Sequence, residues 1–340
     1  MRPPSWSRLR PLAVPLLVAV VLPLAAACGG ASSAAETSGS GKVTLRIGDQ
    51  GQSVATTLKA AGQLKNLPYK VEFNQFDSGP LVNQALQAGA IDFGTMGDTP
   101  ALFAQASGIA VKVIAASTSD GPGYTLVARP GSGIRTAADL KGRKVAYSRN
   151  TANQGFLLRV LKKEGLKQQD ITPVDVPLQN VGNVLESGTV DAAPVTEETR
   201  VKYLADHPDA VQIVNARAFP SIYSYRLASD KALADPDKRA ALQDFTHRLV
   251  LANTWIRTHP DEWVQAYYVG VRKQTRTVGK QVWQGSGSTS YVPVDATVRA
   301  AQQAQSDLFE ENGQLPKHVD ISPQFDLDLL RNFNSQLTKG

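Results

Sequence analysis

The chain has 340 residues, of which 42% are hydrophobic and 19% charged, so it can bury a sizeable core and is long enough for about two domains. Glycine (27) and proline (20) occur at ordinary frequency, which excludes a collagen-like or low-complexity protein. The single cysteine excludes an intrachain disulfide and a cysteine-rich zinc site, and four histidines are few for a metalloenzyme.

The N-terminus has the pattern of a secretory signal peptide. Arg2, Arg8 and Arg10 form a basic region, and the apolar run 12–24 that follows is too short to cross a bilayer of about 30 Å as a helix. Small residues then lead to Cys28, as expected before a cleavage point. We predict that residues 1–27 are a signal peptide and that the protein is exported.

Two processing routes fit the cleavage region. Ala25 and Ala27 satisfy an ordinary signal peptidase. The small residues before Cys28 also resemble a bacterial lipobox, in which the cysteine is lipidated and becomes the mature N-terminus, although the usual leucine stands one position early, at Leu24. We favour lipidation of Cys28, because a free thiol is unusual in an exported protein. Residues 28–42 would then be a flexible tether that reaches about 20 Å from the outer face of the cell membrane.

Removal of the predicted signal peptide would halve the net positive charge of the chain. The formal net charge is +6, but residues 1–27 hold three of the 36 basic residues and none of the 30 acidic ones, which leaves 33 against 30, a net +3. The remaining basic residues are scattered without interleaved aromatic residues. This pattern argues against a nucleic-acid partner.

The body of the chain alternates strand and helix patterns. In chain order, strands are predicted at 43–47, 69–73, 91–95, 111–116, 124–128, 144–147, 174–176, 190–195, 213–214 and 222–227. Helices are predicted at 54–64, 81–88, 136–140, 151–164 and 181–186. A further helix is predicted to have Thr99 as its N-cap and Pro100 as its first residue. Everything after Pro236 is predicted to be mainly helical. The alternation predicts an α/β protein with two lobes built on parallel sheets covered by helices.

Five strand-to-helix junctions are unusually polar and small: 49–53, 77–80, 97–100, 148–151 and 179–180. Ligands of open α/β sheets lie beyond the carboxyl ends of the strands, and each helix N-terminus favours an anion by roughly 0.3–1 kcal/mol. Any one junction could be an ordinary helix cap. Their convergence predicts a binding site for a small anion.

Motifs for catalysis are missing. The chain has no G-x-S-x-G, H-E-x-x-H or G-x-G-x-x-G sequence. We expect structural roles for the four histidines (His207, His247, His259 and His318) and packing roles for Trp255, Trp263 and Trp283. The sequence therefore predicts a protein that is not an enzyme and needs no cofactor or metal.

Several stretches resemble the aliphatic-sulfonate, taurine and nitrate-binding proteins of ABC transporters. They are residues 45–48, 76–80, 89–100, 139–146, 307–312 and 315–321, and the likeness spans 43 to about 321. The resemblance implies a type II periplasmic binding fold, with one lobe formed by 43–127 plus 222–340, the other by 128–221, and the ligand in the cleft between them. It also implies a monomer whose partners are a small organic anion, an ABC permease and the ATPase of that permease.

The resemblance implies that residues at the polar junctions contact the ligand. They are Gln50, Ser78, Gly79, Asp98 and Thr99 in the first lobe, and Ser148, Asn150, Thr151 and Asn180 in the second. The family commonly has a Trp-Asp-Pro run after the strand at 190–195, where this chain has Thr196-Glu197-Glu198. Glu197 is therefore a further candidate contact, toward a different organic group or a cationic moiety, although it could equally be an acid placed for the helix dipole.

Alternatives to a sulfonate importer remain at this point. The same transport role could serve taurine, nitrate or a pyrimidine precursor. Enzymes with a similar fold include desulfinases and a thiamine-pyrimidine synthase. The first type needs a cysteine in the cleft, whereas Cys28 lies outside the predicted folded body, and the second would be intracellular, against the signal peptide.

Overall fold

The computed structural model describes residues 36–38, 41–219 and 222–337. The predicted signal peptide, Cys28 and most of the predicted tether lie outside these residues. Within them, no helix is long and apolar enough to cross a membrane.

Strands and helices follow one another along the chain. The strands are β1 Glu36–Ser38, β2 Thr44–Gln50, β3 Lys70–Phe76, β4 Phe93–Gly97, β5 Val111–Ser119, β6 Tyr124–Ala128, β7 Lys144–Tyr147, β8 Thr172–Asp175, β9 Ala192–Thr196, β10 Val211–Asn215, β11 Ser224–Ser229 and β12 Thr289–Val292. The helices are α1 Ser53–Ala60, α2 Gly79–Gln87, α3 Asp98–Ala106, α4 Ala152–Lys163, α5 Val181–Glu186, α6 Glu197–Asp206, α7 Asp230–Ala234, α8 Pro236–Thr258, α9 Pro260–Trp263, α10 Arg276–Ser286, α11 Ala296–Glu311 and α12 Leu327–Leu337. A π-helical segment, Val264–Val269, continues α9.

The strands form two sheets, each at the centre of one lobe. The first sheet has the order β1-β3-β2-β4-β11-β5-β12 and the second the order β10-β6-β9-β7-β8. The chain leaves the first sheet after β5 and returns to it at β11. We call the elements around the seven-stranded sheet the first lobe and those around the five-stranded sheet the second lobe.

Both sheets are mixed rather than parallel throughout. β2 is parallel to β3 and β4, and β7 is parallel to β8 and β9, as alternation of strand and helix requires. The strands reached by crossing between the lobes run the other way: β11 is antiparallel to β4 and β5, and β6 to β9. The two-lobed α/β architecture is therefore confirmed, with antiparallel pairs where the chain changes sheet.

Most predicted elements occur within a few residues of their expected positions, and the helix predicted at 136–140 is a 3₁₀ helix, Ala137–Leu140. Four further details differ. Residues 289–292 form a strand in the part predicted to be helical, paired with β5. Residues 36–38 of the predicted tether pair with β3. α3 begins at Asp98 rather than Pro100, with Gly97 as its N-cap. β6 lies wholly in the second sheet, so we propose a lobe boundary between Ser119 and Tyr124 instead of after residue 127.

Apolar packing holds the lobes together as well as filling them. One buried cluster lies between the first sheet and helices α1 and α8, and includes Leu45, Ile47 and Phe245. A larger cluster runs from β4 and α3 through α4 to α11, and includes Leu102, Phe156 and Phe309. Since α4 follows a strand of the second sheet, this cluster packs one lobe against the other.

Candidate ligand-binding cleft

A cavity of about 400 Å³ lies between the two sheets, which we call the interlobe cavity. Residues from both crossings between the sheets line it, together with the starts of α3 and α4. They include Gly97, Ser117–Gly121, Tyr124, Ala152, Phe156, Arg217, Phe219, Tyr223 and Thr289. This volume is typical of a pocket for a small molecule.

The interlobe cavity has an aromatic side and a hydroxyl side. Tyr124 stacks on Phe156 with ring centroids 6.2 Å apart, and Phe219 meets Phe156 edge-on at 5.9 Å. Ser117 and Ser119 at the end of β5 supply hydroxyl groups. Burial, with the nearby charge of Asp98, raises the pKa of Tyr124 to about 12, so its phenol stays a neutral hydrogen-bond donor at physiological pH.

The starts of α3 and α4 meet at the edge of this cavity. A Cβ placed on Gly97 would lie 2.7 Å from Cβ of Ala152, so only glycine permits this approach of the two backbones. Within the described residues, the side chain of the N-cap residue Thr151 makes no capping hydrogen bond to α4. The first N–H groups of α4 are therefore available to an acceptor that enters between the lobes.

The junction at the start of α1 is occupied by a carboxylate of the chain itself. Asp49 is fully buried and accepts hydrogen bonds from the N–H groups of Val54 and Ala55, both at 2.9 Å. Burial raises the pKa of Asp49, and the two N–H groups oppose that rise. The neighbouring candidate Gln50 donates through Nε2 to the carbonyl oxygen of Thr95 at 2.6 Å.

The candidates Asp98 and Thr99 are buried and used in contacts between elements. Asp98 Oδ2 accepts from Nη2 of Arg159 on α4 at 2.6 Å, and its Oδ1 accepts from N–H of Thr99, also at 2.6 Å. The Thr99 hydroxyl accepts from Nε2 of Gln305 on α11 at 2.7 Å. Neither side chain lines the interlobe cavity, although Gly97 beside them does.

Ser78 and Gly79 form the start of α2, where no side chain caps the helix. Gly79 is buried, and a Cβ there would lie 2.5 Å from Cγ of Pro100, so glycine allows α2 to approach α3. Gln179 of the second lobe donates to the carbonyl oxygen of Asp77 at 3.3 Å. This junction therefore faces the second lobe, at a different place from the interlobe cavity.

The second-lobe candidates shape the loop before α4. The Thr151 hydroxyl donates to the carbonyl oxygen of Ser148 at 2.7 Å, and Asn150 has a left-handed backbone with φ of 58°. Ser148 and Thr151 are buried. Asn180, in contrast, is exposed in a 3₁₀ turn at Leu178–Asn180.

Glu197 is buried at the contact between α6 and α10. Its carboxylate accepts from Nε and Nη2 of Arg200 at 2.7 and 2.5 Å. A Cβ on Gly285 would overlap its Oε1, so α10 lies directly against this group. The next residue, Glu198, accepts from Nη2 of Arg272 at 2.7 Å. Both acids are thus paired with arginines within the chain.

The structure brings several candidates close to the interlobe cavity without placing their side chains in its wall. The starts of α3 and α4 reach it through Gly97 and Ala152, and the role of the ten candidates in ligand binding stays a prediction. Sequence reasoning missed the aromatic residues Tyr124, Phe156, Phe219 and Tyr223. The glycine-rich run 119–124, which sits between two buried strands, is the signal that could have drawn attention to the first crossing.

One group of possible metal ligands occurs in the described part of the chain. Asp307, Glu310 and His318 bring their ligand atoms within 4.8 Å of one another on the surface. His318 Nδ1 lies 3.2 Å from Oε2 of Glu310, so the imidazole already has a partner. Exposed acidic groups of this kind are common without an ion, and none of the three residues lines the interlobe cavity.

The fold and the cleft have counterparts in known proteins. A family model described as NMT1/THI5-like matches residues 69–263. A putative aliphatic sulfonates-binding protein of Escherichia coli K12 is 30% identical over 82% of this chain and 86% of its own length. The alkanesulfonate-binding protein SsuA of Xanthomonas axonopodis pv. citri, solved bound to MOPS, has a TM-score of 0.75 at 28% identity, over 84% of this chain and 99% of that one.

The fold also occurs in an enzyme. The desulfurization enzyme DszB has a TM-score of 0.58 at 15% identity, over 88% of this chain and 99% of that one, a likeness of fold alone.

The chain crosses twice between two mixed sheets and leaves a cavity between them. These features define an α/β substrate-binding protein of the periplasmic binding class. The chain belongs to the NMT1/THI5-like family and is homologous to aliphatic sulfonate-binding proteins.

Proposed function

We propose that the protein captures a small organic anion, a sulfonate, in the interlobe cavity and delivers it to an ABC permease. The observation that carries the proposal is the cavity itself, whose walls come from both lobes and from the uncapped start of α4. Closure of the lobes would remove water from the anion while fixed N–H and hydroxyl donors replace it. The relatives named for sulfonate binding support this ligand class.

Calorimetric titration of the protein without its signal peptide tests the ligand. We expect heat of binding with alkanesulfonates and weaker or no binding of nitrate and sulfate. The aromatic side of the cavity contributes binding free energy only when the ligand has an apolar organic group to bury against it. Taurine and a pyrimidine precursor are the nearest rivals. Binding of a cation or a neutral heterocycle with no response to any sulfonate would overturn the proposal.

We further propose that the protein is exported and held at the outer face of the membrane by a lipid on Cys28. The signal-peptide pattern and the small residues before Cys28 support this placement. In a bacterial host, the wild-type protein is expected in the membrane fraction and Cys28→Ser in the soluble exported fraction. Equal distribution of both proteins would contradict the anchor.

An enzyme on the same fold is the second candidate, favoured by the likeness to DszB. The only cysteine is Cys28, in the part of the chain before the two lobes, so a cysteine nucleophile in the cleft is not available. We therefore propose a binding protein without catalytic activity. Incubation with aryl sulfinates and sulfonates should release no sulfite, and sulfite formation above a protein-free control would reverse this conclusion.

A further inference from the structure

The two lobes touch at two places of different character. At the first, which we call the apolar contact, α4 of the second lobe packs on α3 and α11 of the first. Phe156, Leu102 and Phe309 belong to one buried apolar cluster there, beside the shielded ion pair of Arg159 and Asp98. Separation of the lobes at this contact would expose apolar surface to water and is therefore unfavourable.

At the second place, which we call the polar contact, α6 of the second lobe lies against α10 and the turn before it. Oε2 of Glu198, in the first turn of α6, accepts from Nε and Nη2 of Arg272 at 3.0 and 2.7 Å. Glu197 lies against Gly285 of α10. Val201 packs, partly buried, on an apolar cluster around α9 and α10 that is separate from the core of the second lobe.

The ion pair at the polar contact can break and form again at little cost. The side chains of Arg272 and Glu198 are 39% and 34% exposed, so water can replace each partner when the pair separates. The apolar contact has no such replacement for its buried surface. The second lobe can therefore swing away from α10 more easily than from α11.

The backbone around Arg272 is held in an unusual conformation. The N–H group of Arg272 donates to the carbonyl oxygen of Tyr267, five residues back, at 2.8 Å, which continues the π-helical pattern of 264–269. Lys273 then has a left-handed backbone with φ of 56°, which is unfavourable for a residue with a Cβ. Such segments persist only where the surrounding structure fixes them, and they concentrate at functional sites.

This backbone places the Arg272 guanidinium between the two lobes. A Cβ on Gly51, at the start of α1, would lie 3.9 Å from Nη1 of Arg272, while Nε and Nη2 face Glu198 of the second lobe. The cation thus belongs to the first lobe and binds a carboxylate of the second. Neither Arg272 nor Glu198 lines the interlobe cavity.

We propose that Glu198 and Arg272 form a latch that holds the lobes closed over the ligand and opens at the polar contact. Both are positioning residues, because they act on the arrangement of the lobes and not on the ligand. The inference rests on the proposed function, since it concerns a ligand bound between the lobes. A latch made only in the closed arrangement raises affinity by the factor by which it raises the closed population.

Titration calorimetry with ethanesulfonate, on the exported chain carrying Cys28→Ser to avoid lipidation, tests the latch. Glu198→Gln and Arg272→Gln should each weaken binding about two- to fivefold, the range expected for an ion pair of this exposure. The double variant should be no weaker than the weaker single variant, since loss of either partner already breaks the pair. Added salt should bring the affinities of wild type and Glu198→Gln together, because it screens the pair.

An ion pair at the apolar contact provides the matched control. Nζ of Lys162 on α4 lies 2.7 Å from Oε2 of Glu311 on α11, and the two side chains are 56% and 50% exposed. This pair also joins the lobes, but it lies on the side that stays packed. Glu311→Gln should therefore leave affinity unchanged. A loss equal to that of Glu198→Gln would show that any charge pair between the lobes has this effect, and would overturn the latch.

The distance between α6 and α10 separates a latch from a merely structural contact. Lys202→Cys on α6 and Gln281→Cys on α10, both at exposed positions, carry spin labels in the Cys28→Ser protein, and pulsed electron paramagnetic resonance measures their separation. Without ligand, Glu198→Gln should shift the distances to longer values, and saturating ethanesulfonate should restore those of the wild type. A lower melting temperature with unchanged distances would mean a structural role and would overturn the inference.

The outcomes distinguish this inference from the proposed function. Wild-type binding of ethanesulfonate with unchanged affinity in Glu198→Gln and Arg272→Gln would overturn the latch and leave the proposed function standing. No binding of any sulfonate to the wild-type protein would overturn the proposed function and, with it, a latch over that ligand. If circular dichroism shows that Arg272→Gln does not fold, Glu198→Gln decides, because it keeps the shape of the side chain and removes only its charge.

Discussion

Arg159 on α4 reaches from the second lobe to Asp98 at the start of α3 in the first, with Nη2 2.6 Å from Oδ2. The two side chains are 14% and 3% exposed, so the pair is largely shielded from water. The N–H group of Thr99 donates to the other carboxylate oxygen at 2.6 Å. The acid that the sequence placed against a ligand is thus bonded through one oxygen to the opposite lobe and through the other to its own helix.

Asp98→Asn should lower the free energy of unfolding by about 3 kcal/mol, because it leaves the Arg159 charge buried without a counter-charge. Urea denaturation measures the change. Asp98→Asn combined with Arg159→Gln should recover part of the loss, since the unpaired charge is then removed as well. If Asp98→Asn alone keeps its stability but loses ligand affinity, Asp98 is a ligand contact instead.

Gly97→Ala should weaken both closure of the lobes and ligand affinity. The added Cβ would lie 2.7 Å from Cβ of Ala152, and overpacking of this kind costs about 1–3 kcal/mol. Titration calorimetry and thermal melting together measure the effect. The double variant with Ala152→Gly removes the opposing methyl group and should restore affinity. Failure of this rescue would show that Gly97 acts through something other than the contact with Ala152.

Glu197→Gln should leave sulfonate affinity unchanged and lower the melting temperature. The carboxylate is paired with Arg200 at 2.5 Å and packed against Gly285, so it is not free to meet a cationic group of a ligand. Loss of the charge leaves Arg200 without its carboxylate partner, although Nη1 still donates to Gln212, at a cost of about 1–3 kcal/mol. A drop in affinity for taurine with no drop for ethanesulfonate would contradict this assignment and favour a contact with an ammonium group.

Asp92 gives the stability of the first lobe a pH dependence. Although burial raises the pKa of Asp92, hydrogen bonds from Arg46 and Lys238 hold it below the ordinary value of 3.8. The stabilisation is therefore complete above about pH 4 and is lost as the pH falls through the lower, folded-state pKa. Asp92→Asn should be destabilised by about 3 kcal/mol at pH 7 and by less at pH 3. Urea denaturation at both values tests this, and an equal difference at the two would refute it.

Local elements of this fold could be predicted from sequence because hydrophobic periodicity and caps act over a few residues. β6 and β7 occur with the predicted bounds, and α2 begins beside Pro80 as expected. The acids at the starts of α1 and α3 show where such reasoning stops. Asp49 and Asp98 have the residue type and position of a ligand-competent junction, yet each is already hydrogen-bonded within the chain. Sequence patterns do not distinguish these two situations.

The cavities could not be predicted because their walls come from distant parts of the chain. The interlobe cavity joins residues from 97 to 289. A second cavity of about 180 Å³, between the first sheet and helices α1 and α8, joins α1 to Arg226 and β12. Arg226 stands between Tyr225 and Leu227 in an alternating strand, which is typical of a charged residue that faces water. Helices α1 and α8 cover that face of the sheet, so a position that alternation assigns to solvent is buried.

Because β11 lies between β4 and β5, the first sheet can form completely only after β11 has been synthesised. β4 and β5 do not pair with each other, and the strand that joins them arrives more than a hundred residues after the end of β5. Until residues 224–229 emerge, both strands keep an open edge and the centre of the first sheet is incomplete. Such distant pairing makes folding slow. A first lobe that cannot complete its central sheet before residue 229 of 340 suits a protein that, as we propose, crosses a membrane before it folds.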